Sequence, residues 1–220
     1  MTEDYAKDFP KKGDKLFRGD LPDWQHNAVT GSFYARDDIA PWHRYMNGYR
    51  EAADRVVESL LGKEARGMMD VMVYPVVFLY RHHFELALKA IIRVGGRLCD
   101  QGDVVPHVHE LIGLWRKARP ILEQHWPNTG SDLLDIAEEL LTELDGFDPR
   151  GQAFRYPEER DGTTSLPNGL HINLRQLAMT GGKLSDFLSC CAEGLWNDLD
   201  LKETYLSDMR SMFAEDWGGY

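Results

Sequence analysis

The segment Tyr80-Arg81-His82-His83-Phe84-Glu85-Leu86-Ala87-Leu88-Lys89 sets two imidazoles and two cations around a single carboxylate. On a helix His82 and Glu85 lie three residues apart, and Arg81 and Lys89 each lie four from Glu85, so these side chains can touch. A histidine and a carboxylate one turn apart have the chemistry of half a metal site or of an acid–base pair. A metal needs further ligands at matching spacing, and no second such pair occurs, so ion-paired packing is the simpler reading and neither a metal nor another cofactor is expected. A second group, His107-Val108-His109-Glu110, falls at an expected helix start, where an imidazole can serve orphan backbone groups or join a site built by another helix. With eight histidines in the chain, two of them close together is a weak signal. The third group is Phe154-Arg155-Tyr156-Pro157, an arginine between two aromatic rings, which suits holding a loop against the body or binding an anion. Arg155 and Glu85 are expected to pair through a charge-assisted hydrogen bond, because each would otherwise be a charge among apolar neighbours. The candidate polar site is therefore Arg81, His82, His83, Glu85, Lys89, His107, His109, Arg155 and Tyr156. Phosphate-binding glycine loops, nucleophile elbows, CxxC pairs and HExxH helices are absent from the sequence.

The elements that must position these residues read as helices. From Pro41 onward Tyr45, Tyr49, Ala52, Ala53, Val56 and Leu60 recur at three- and four-residue steps, and Gly62 closes the run. Residues 69–94 are apolar around nearly the whole circumference, which predicts a central buried helix ended by Gly95-Gly96, with Arg81, Glu85, Lys89, Arg93 and Arg97 as one charged stripe. A third helix is expected from Pro106, kinked or split at Pro120. A fourth is expected from Ser131 to about Leu144, turning Leu133, Leu134, Ile136, Ala137, Leu140, Leu141 and Leu144 inward and Asp132, Asp135, Glu139 and Glu143 outward. Residues 145–169 hold too many prolines and glycines for a helix and read as a long ordered loop. His171-Ile172-Asn173-Leu174 reads as extended, a helix resumes near Leu184, and a short terminal one covers Tyr205 to Phe213. The expected fold is thus an all-α bundle of five to six helices around the 69–94 helix. Residues 1–40 are expected to form an irregular arm packed on a single domain spanning 41–220.

Hydrophobic residues at 43% and charged residues at 28% are ordinary globular usage, so the chain is expected to fold. The run Val71–Tyr80 is too short to span a bilayer and no secretory signal opens the chain, so no membrane association is expected and the cytoplasm is the expected compartment. Three cysteines give no disulfide framework. A formal net charge of −11 excludes general DNA binding by the monomer and leaves only a local basic patch for any nucleic acid. Six tryptophans and nine tyrosines exceed what one small core is expected to bury, which points to self-association, most simply as a homodimer.

The succession of the RHHFEL helix, His107-Val108-His109-Glu110-Leu111, an acidic helix and the FRYP loop resembles uncharacterised bacterial helical proteins of the HEPN superfamily. The resemblance covers about residues 45–200. It implies a helical bundle, often dimeric, acting as an accessory or interaction protein of a bacterial stress or defence system, with RNA or a protein as ligand. Active HEPN ribonucleases carry an arginine followed a few residues later by a histidine. Here that spacing occurs only as Arg36 with His43 and Arg119 with His125, and Pro120 stands where a polar residue is usual. The alternatives are a metal-independent ribonuclease assembled across a dimer from Arg81, His82, His83, His107 and His109, and a purely structural helical subunit.

Overall fold

The structure, a computed structural model, describes residues 9–17, 24–30, 40–62, 66–127 and 130–217. It divides into two units, Met1–Ala35 and Arg36–Tyr220. The described part of the first unit holds one 3-10 turn, Trp24–His26, and a bend at residues 11–14 where the Asp14 carboxylate accepts the Lys11 N–H. The second unit is all-α, and no strand occurs among its described residues. Its helices are α1 (Ala40–Leu61), α2 (Met69–Leu98), α3 (Leu111–His125), α4 (Ser131–Phe147) and α5 (Leu174–Trp217).

α2 is the axis of the bundle, as its all-round apolarity requires. α1, α3 and α5 pack on it directly, while α4 packs mainly on α3. Tyr80, Ala87, Leu88 and Ile91 of α2 meet Leu111, Leu114 and Trp115 of α3 and Leu188 and Leu195 of α5 in one continuous core. Part of the aromatic complement is housed here: Trp115 and Tyr80 are buried and Trp42, Trp126 and Trp196 pack against the same core, whereas Tyr45, Tyr74, Tyr156 and Tyr205 are exposed. Cys191 is buried, its thiol pushed up to about 12 by burial, whereas the adjacent Cys190 is exposed; both are free.

Helix boundaries differ from the sequence reading in α2, α3 and α5. At Gly95 and Pro120, which read as a stop and a kink, the helices continue, because the glycine is a contact point and the proline faces solvent. α2 runs through Gly95-Gly96 because α3 lies so close that a Cβ on Gly95 would stand 2.2 Å from Ile121 Cγ2; the intrinsic helix penalty of roughly 1 kcal/mol is offset by that approach. The helix ends after Leu98, whose carbonyl accepts from Lys202 Nζ at 2.9 Å. α3 begins at Leu111 rather than Pro106 and passes Pro120 unsplit, since the carbonyl that proline leaves free belongs to exposed Arg116. α5 is one helix of 44 residues. It runs through Gly181-Gly182, and at Gly194 a side chain would meet Trp126 at 2.9 Å. The expected helix near Leu184 and the expected short terminal helix are therefore both parts of α5. Within α4 the inward set is narrower than expected: Leu134, Ala137 and Leu141 are buried, but Leu133 and Ile136 are 53% and 51% exposed.

Among the described residues no helix is long and apolar enough to cross a membrane.

Candidate functional site

Tyr74, Phe78, Arg81, His82, Glu85 and Lys89 fall at three- and four-residue steps and so share one face of α2, about 22 Å long from Tyr74 to Lys89. Two kinds of environment divide that face, one closed and one open.

The closed part centres on Arg81, only 2% exposed. Its Nε donates to the Asp148 carbonyl at 3.0 Å, Nη1 to Glu85 Oε2 at 3.3 Å and Nη2 to the His109 carbonyl at 2.8 Å. The Asp145 and Asp148 carboxylates lie 3.6 Å and 3.4 Å from the same guanidinium. Each carboxylate also does local work. Asp145 accepts the Leu111 and Ile112 N–H groups at 3.1 Å and 2.9 Å, supplying from α4 the cap that α3 lacks in its own sequence. Asp148 accepts the Gln152 and Ala153 N–H groups and shapes the start of the 148–173 loop. Glu85 accepts from Lys89 Nζ at 2.7 Å and His109 Nδ1 at 2.8 Å. Burial pushes the Glu85 carboxyl up, but these contacts outweigh it and hold Glu85 below the usual carboxylate range. Burial raises Asp145 despite its two backbone donors. One arginine thus pins α2, the entry to α3, the end of α4 and the loop to one another. Gly151, at φ +69°, lets the loop pass so near that a Cβ there would stand 2.6 Å from Arg81 Nη1.

The open part is a ladder of rings and cations. The His82 ring stacks on Phe78 at 5.7 Å between centroids and meets the edge of Tyr49 from α1 at 4.4 Å. The Arg155 guanidinium lies 5.4 Å from the Phe78 centroid and 5.6 Å from that of Tyr156. Its Nε donates to the Gly151 carbonyl at 2.7 Å, and no carboxylate pairs with it among the described residues. Arg155 and Tyr156 line a cleft of about 540 Å³ between α2 and the loop, with Tyr74, Thr164, Ser165 and Asn168 among its other walls. Burial depresses the His82 pKa below the ordinary value, with the Glu85 charge pulling the other way and Lys89, Arg155 and Arg81 adding to the depression, so the ring is neutral at neutral pH.

No family model, no curated protein and no solved structure matches this chain.

The structure separates the nine residues expected to form one site. Arg81, Glu85, Lys89 and His109 come together in the closed cluster; His82, Arg155 and Tyr156 belong to the open ladder. The expected Arg155–Glu85 pair is not formed: Glu85 is already served by Arg81, Lys89 and His109, and Arg155 stays on the surface over Phe78. His83 points away from both, because two residues along a helix turn a side chain about 200°. It is wholly buried toward α1, with Nδ1 on the Met46 carbonyl at 3.0 Å. That carbonyl can only accept, so Nδ1 carries the proton and Nε2 is a buried acceptor without a partner. His107 is exposed ahead of α3 and joins neither cluster. The arginine–histidine spacing at Arg119 and His125 makes no pair either, since Arg119 binds Glu123, Asp135 and Glu138 while His125 meets Asp198 at 2.7 Å. Arg36 lies outside the described residues. Among the described residues no three His, Cys, Asp or Glu side chains are grouped to hold a metal ion.

Sequence reasoning missed Asp145, Asp148 and Gly151. The signal for them was slight: a run of acids closing an acidic helix reads as solvated surface, and only the need of Arg81 for counter-charge picks out two of them.

Proposed function

We propose that this is a HEPN-like, non-catalytic accessory protein, of a bacterial stress or defence system, that binds single-stranded RNA along the ladder from Tyr49 through His82, Phe78 and Arg155 to Tyr156. The observation that carries the reading is Arg155, a surface cation held between two aromatic rings without a carboxylate partner among the described residues, lining a cleft walled by tyrosine, hydroxyl and amide groups. Single-stranded RNA offers what such a surface recognises: bases that stack on aromatic and guanidinium planes, and phosphates that take the cation. A chain of net charge −11 gives no long-range attraction to polyanions, so binding must come from these short-range contacts. The resemblance in the RHHFEL helix and the FRYP loop supplies the choice of RNA over other anions.

Fluorescence anisotropy of labelled single-stranded RNA tests this. The wild-type chain binds, and Tyr156→Ala loses about 1–3 kcal/mol, the worth of one stacked base. Absence of binding at about 100 μM protein, where even non-specific nucleic-acid contacts are seen, refutes the reading.

One observation favours a second reading, a metal-independent ribonuclease. Glu85 holds His109 through Nδ1 while the imidazole itself is largely solvent-facing, which is how a carboxylate orients a general base. Cleavage of RNA in EDTA that is lost in His109→Ala would establish it, and intact RNA after prolonged incubation would exclude it.

A further inference from the structure

The outer edge of α4 carries an apolar stripe that the core engages only at Leu140. Leu133, Ile136, Leu140 and Phe147 fall within about 60° of one another at 100° per residue. Leu133 and Ile136 are about half exposed, Phe147 is 40% exposed and Leu140 is half-buried. The stripe runs into a second cavity of about 410 Å³, between the end of α4 and the start of α5, with Val77 and Phe84 of α2 among its lining residues and Leu177 and Leu184 on the α5 side. The groove exists because α4 packs on α3 rather than on α5. Its charge is one-sided. Glu143 lines the cavity and Glu139 lies one turn away on the same flank of the stripe. Both are exposed and neither has an ion pair among the described residues. The α5 wall is neutral there, formed by Gln176 and Thr180. Unlike the three carboxylates around Arg81, which are buried and engaged, Glu139 and Glu143 stand exposed beside exposed apolar surface; Arg119, which lines a neighbouring cavity with them, is taken up by Glu123, Asp135 and Glu138.

We propose that the α4–α5 groove docks a basic amphipathic helix of a partner protein, with its apolar face on Ile136, Leu140 and Phe147 and its lysines or arginines against Glu139 and Glu143. An amphipathic helix presents apolar anchors at three- and four-residue steps, which is the spacing the stripe offers, and such grooves are a recurrent mode of peptide recognition. The acidic flank selects the basic helix: an acidic one meets like charge, and an uncharged alkyl ligand leaves Glu139 and Glu143 without a role. This surface is separate from the Arg155 cleft, so the proposal stands whether or not RNA binds there.

A synthetic peptide of leucine and lysine, about four turns long with its leucines on one face, is the probe, and the peptide with glutamate in place of lysine is its control. Calorimetric titration of the full chain is expected to show binding of the Leu/Lys peptide and none of the Leu/Glu peptide. Ile136→Glu changes an exposed position and leaves the fold intact; it is expected to weaken binding at least about tenfold, as is the double variant Glu139→Lys/Glu143→Lys. Ile136→Glu is the deciding variant because it adds negative charge. Attraction of a basic peptide to an acidic protein in general would strengthen, so unchanged or tighter binding to Ile136→Glu overturns the proposal. Equal binding of the Leu/Glu peptide overturns it as well. So does a dimer of the free chain that Ile136→Glu dissolves, since the groove then belongs to a second copy.

Discussion

Arg81 and Arg155 both lie against the face of α2 that runs from Tyr74 to Lys89, and they are used in opposite ways. Arg81 is enclosed, with every donor group of its guanidinium directed at a carbonyl or a carboxylate of an element it must hold. Arg155 is anchored by a single Nε hydrogen bond and spends its faces on Phe78 and Tyr156 at the surface. A buried charge is tolerable only when fully partnered, so the environment of Arg81 leaves it nothing with which to bind a ligand. The difference teaches that a cation's availability, rather than its company of histidines and acids, marks a binding surface. By that measure Arg81 and Glu85 of the RHHFEL motif are held in structural contacts, whereas Arg155 of the FRYP loop stays exposed, which is why the RNA-binding proposal rests on that loop.

The comparison breaks most readily at Arg81. Arg81→Ala leaves Glu85, Asp145 and Asp148 without their common counter-ion and is expected to cost about 3–5 kcal/mol in denaturant unfolding; a loss below about 1 kcal/mol would mean that the cluster is not the clasp described. Gly151→Ala acts on the same clasp from the loop side. A non-glycine residue at φ +69° whose Cβ crowds Arg81 Nη1 is expected to cost about 1–3 kcal/mol, and combination with Arg81→Ala should be less than additive because the crowded atom is then gone.

A third effect is sharper in pH than in size. His83 is buried and neutral, its pKa depressed by burial against the pull of the Met46 carbonyl. The unfolded chain therefore binds a proton that the folded chain refuses, in the window between the depressed folded value and the unfolded value of about 6.5. Stability is fully present above that window and falls as pH drops through it. Melting temperatures measured from pH 7.5 to pH 5 should decline with a slope that His83→Gln reduces; an unaltered slope assigns the decline to other groups.

The smallest stability effect is expected at Arg155. Arg155→Ala removes one surface hydrogen bond and two ring contacts, so it should change unfolding stability by about 0.5 kcal/mol or less, while RNA affinity falls about tenfold, equivalent to about 1.4 kcal/mol. A large stability loss would place Arg155 with Arg81 and erase the distinction between the two regions.

The sequence by itself determined the all-α class, the centrality of the helix containing Tyr80 to Ile92 and the ordered loop after α4, because helical periodicity and all-round apolarity are local properties that a chain carries wherever it folds. It also determined that Arg81, Glu85 and Lys89 would share a face, since spacing alone fixes that. Tertiary structure decided what each charge meets. Asp145 and Asp148 reach Arg81 from more than sixty residues away, and they satisfy Glu85's neighbour so completely that Arg155 is left free; no periodicity encodes which of several acids closes on which cation. It decided the helix ends too, for the same reason. Gly95 reads as a break in one dimension, whereas Ile121, brought close only by folding, turns it into the place where two helices approach.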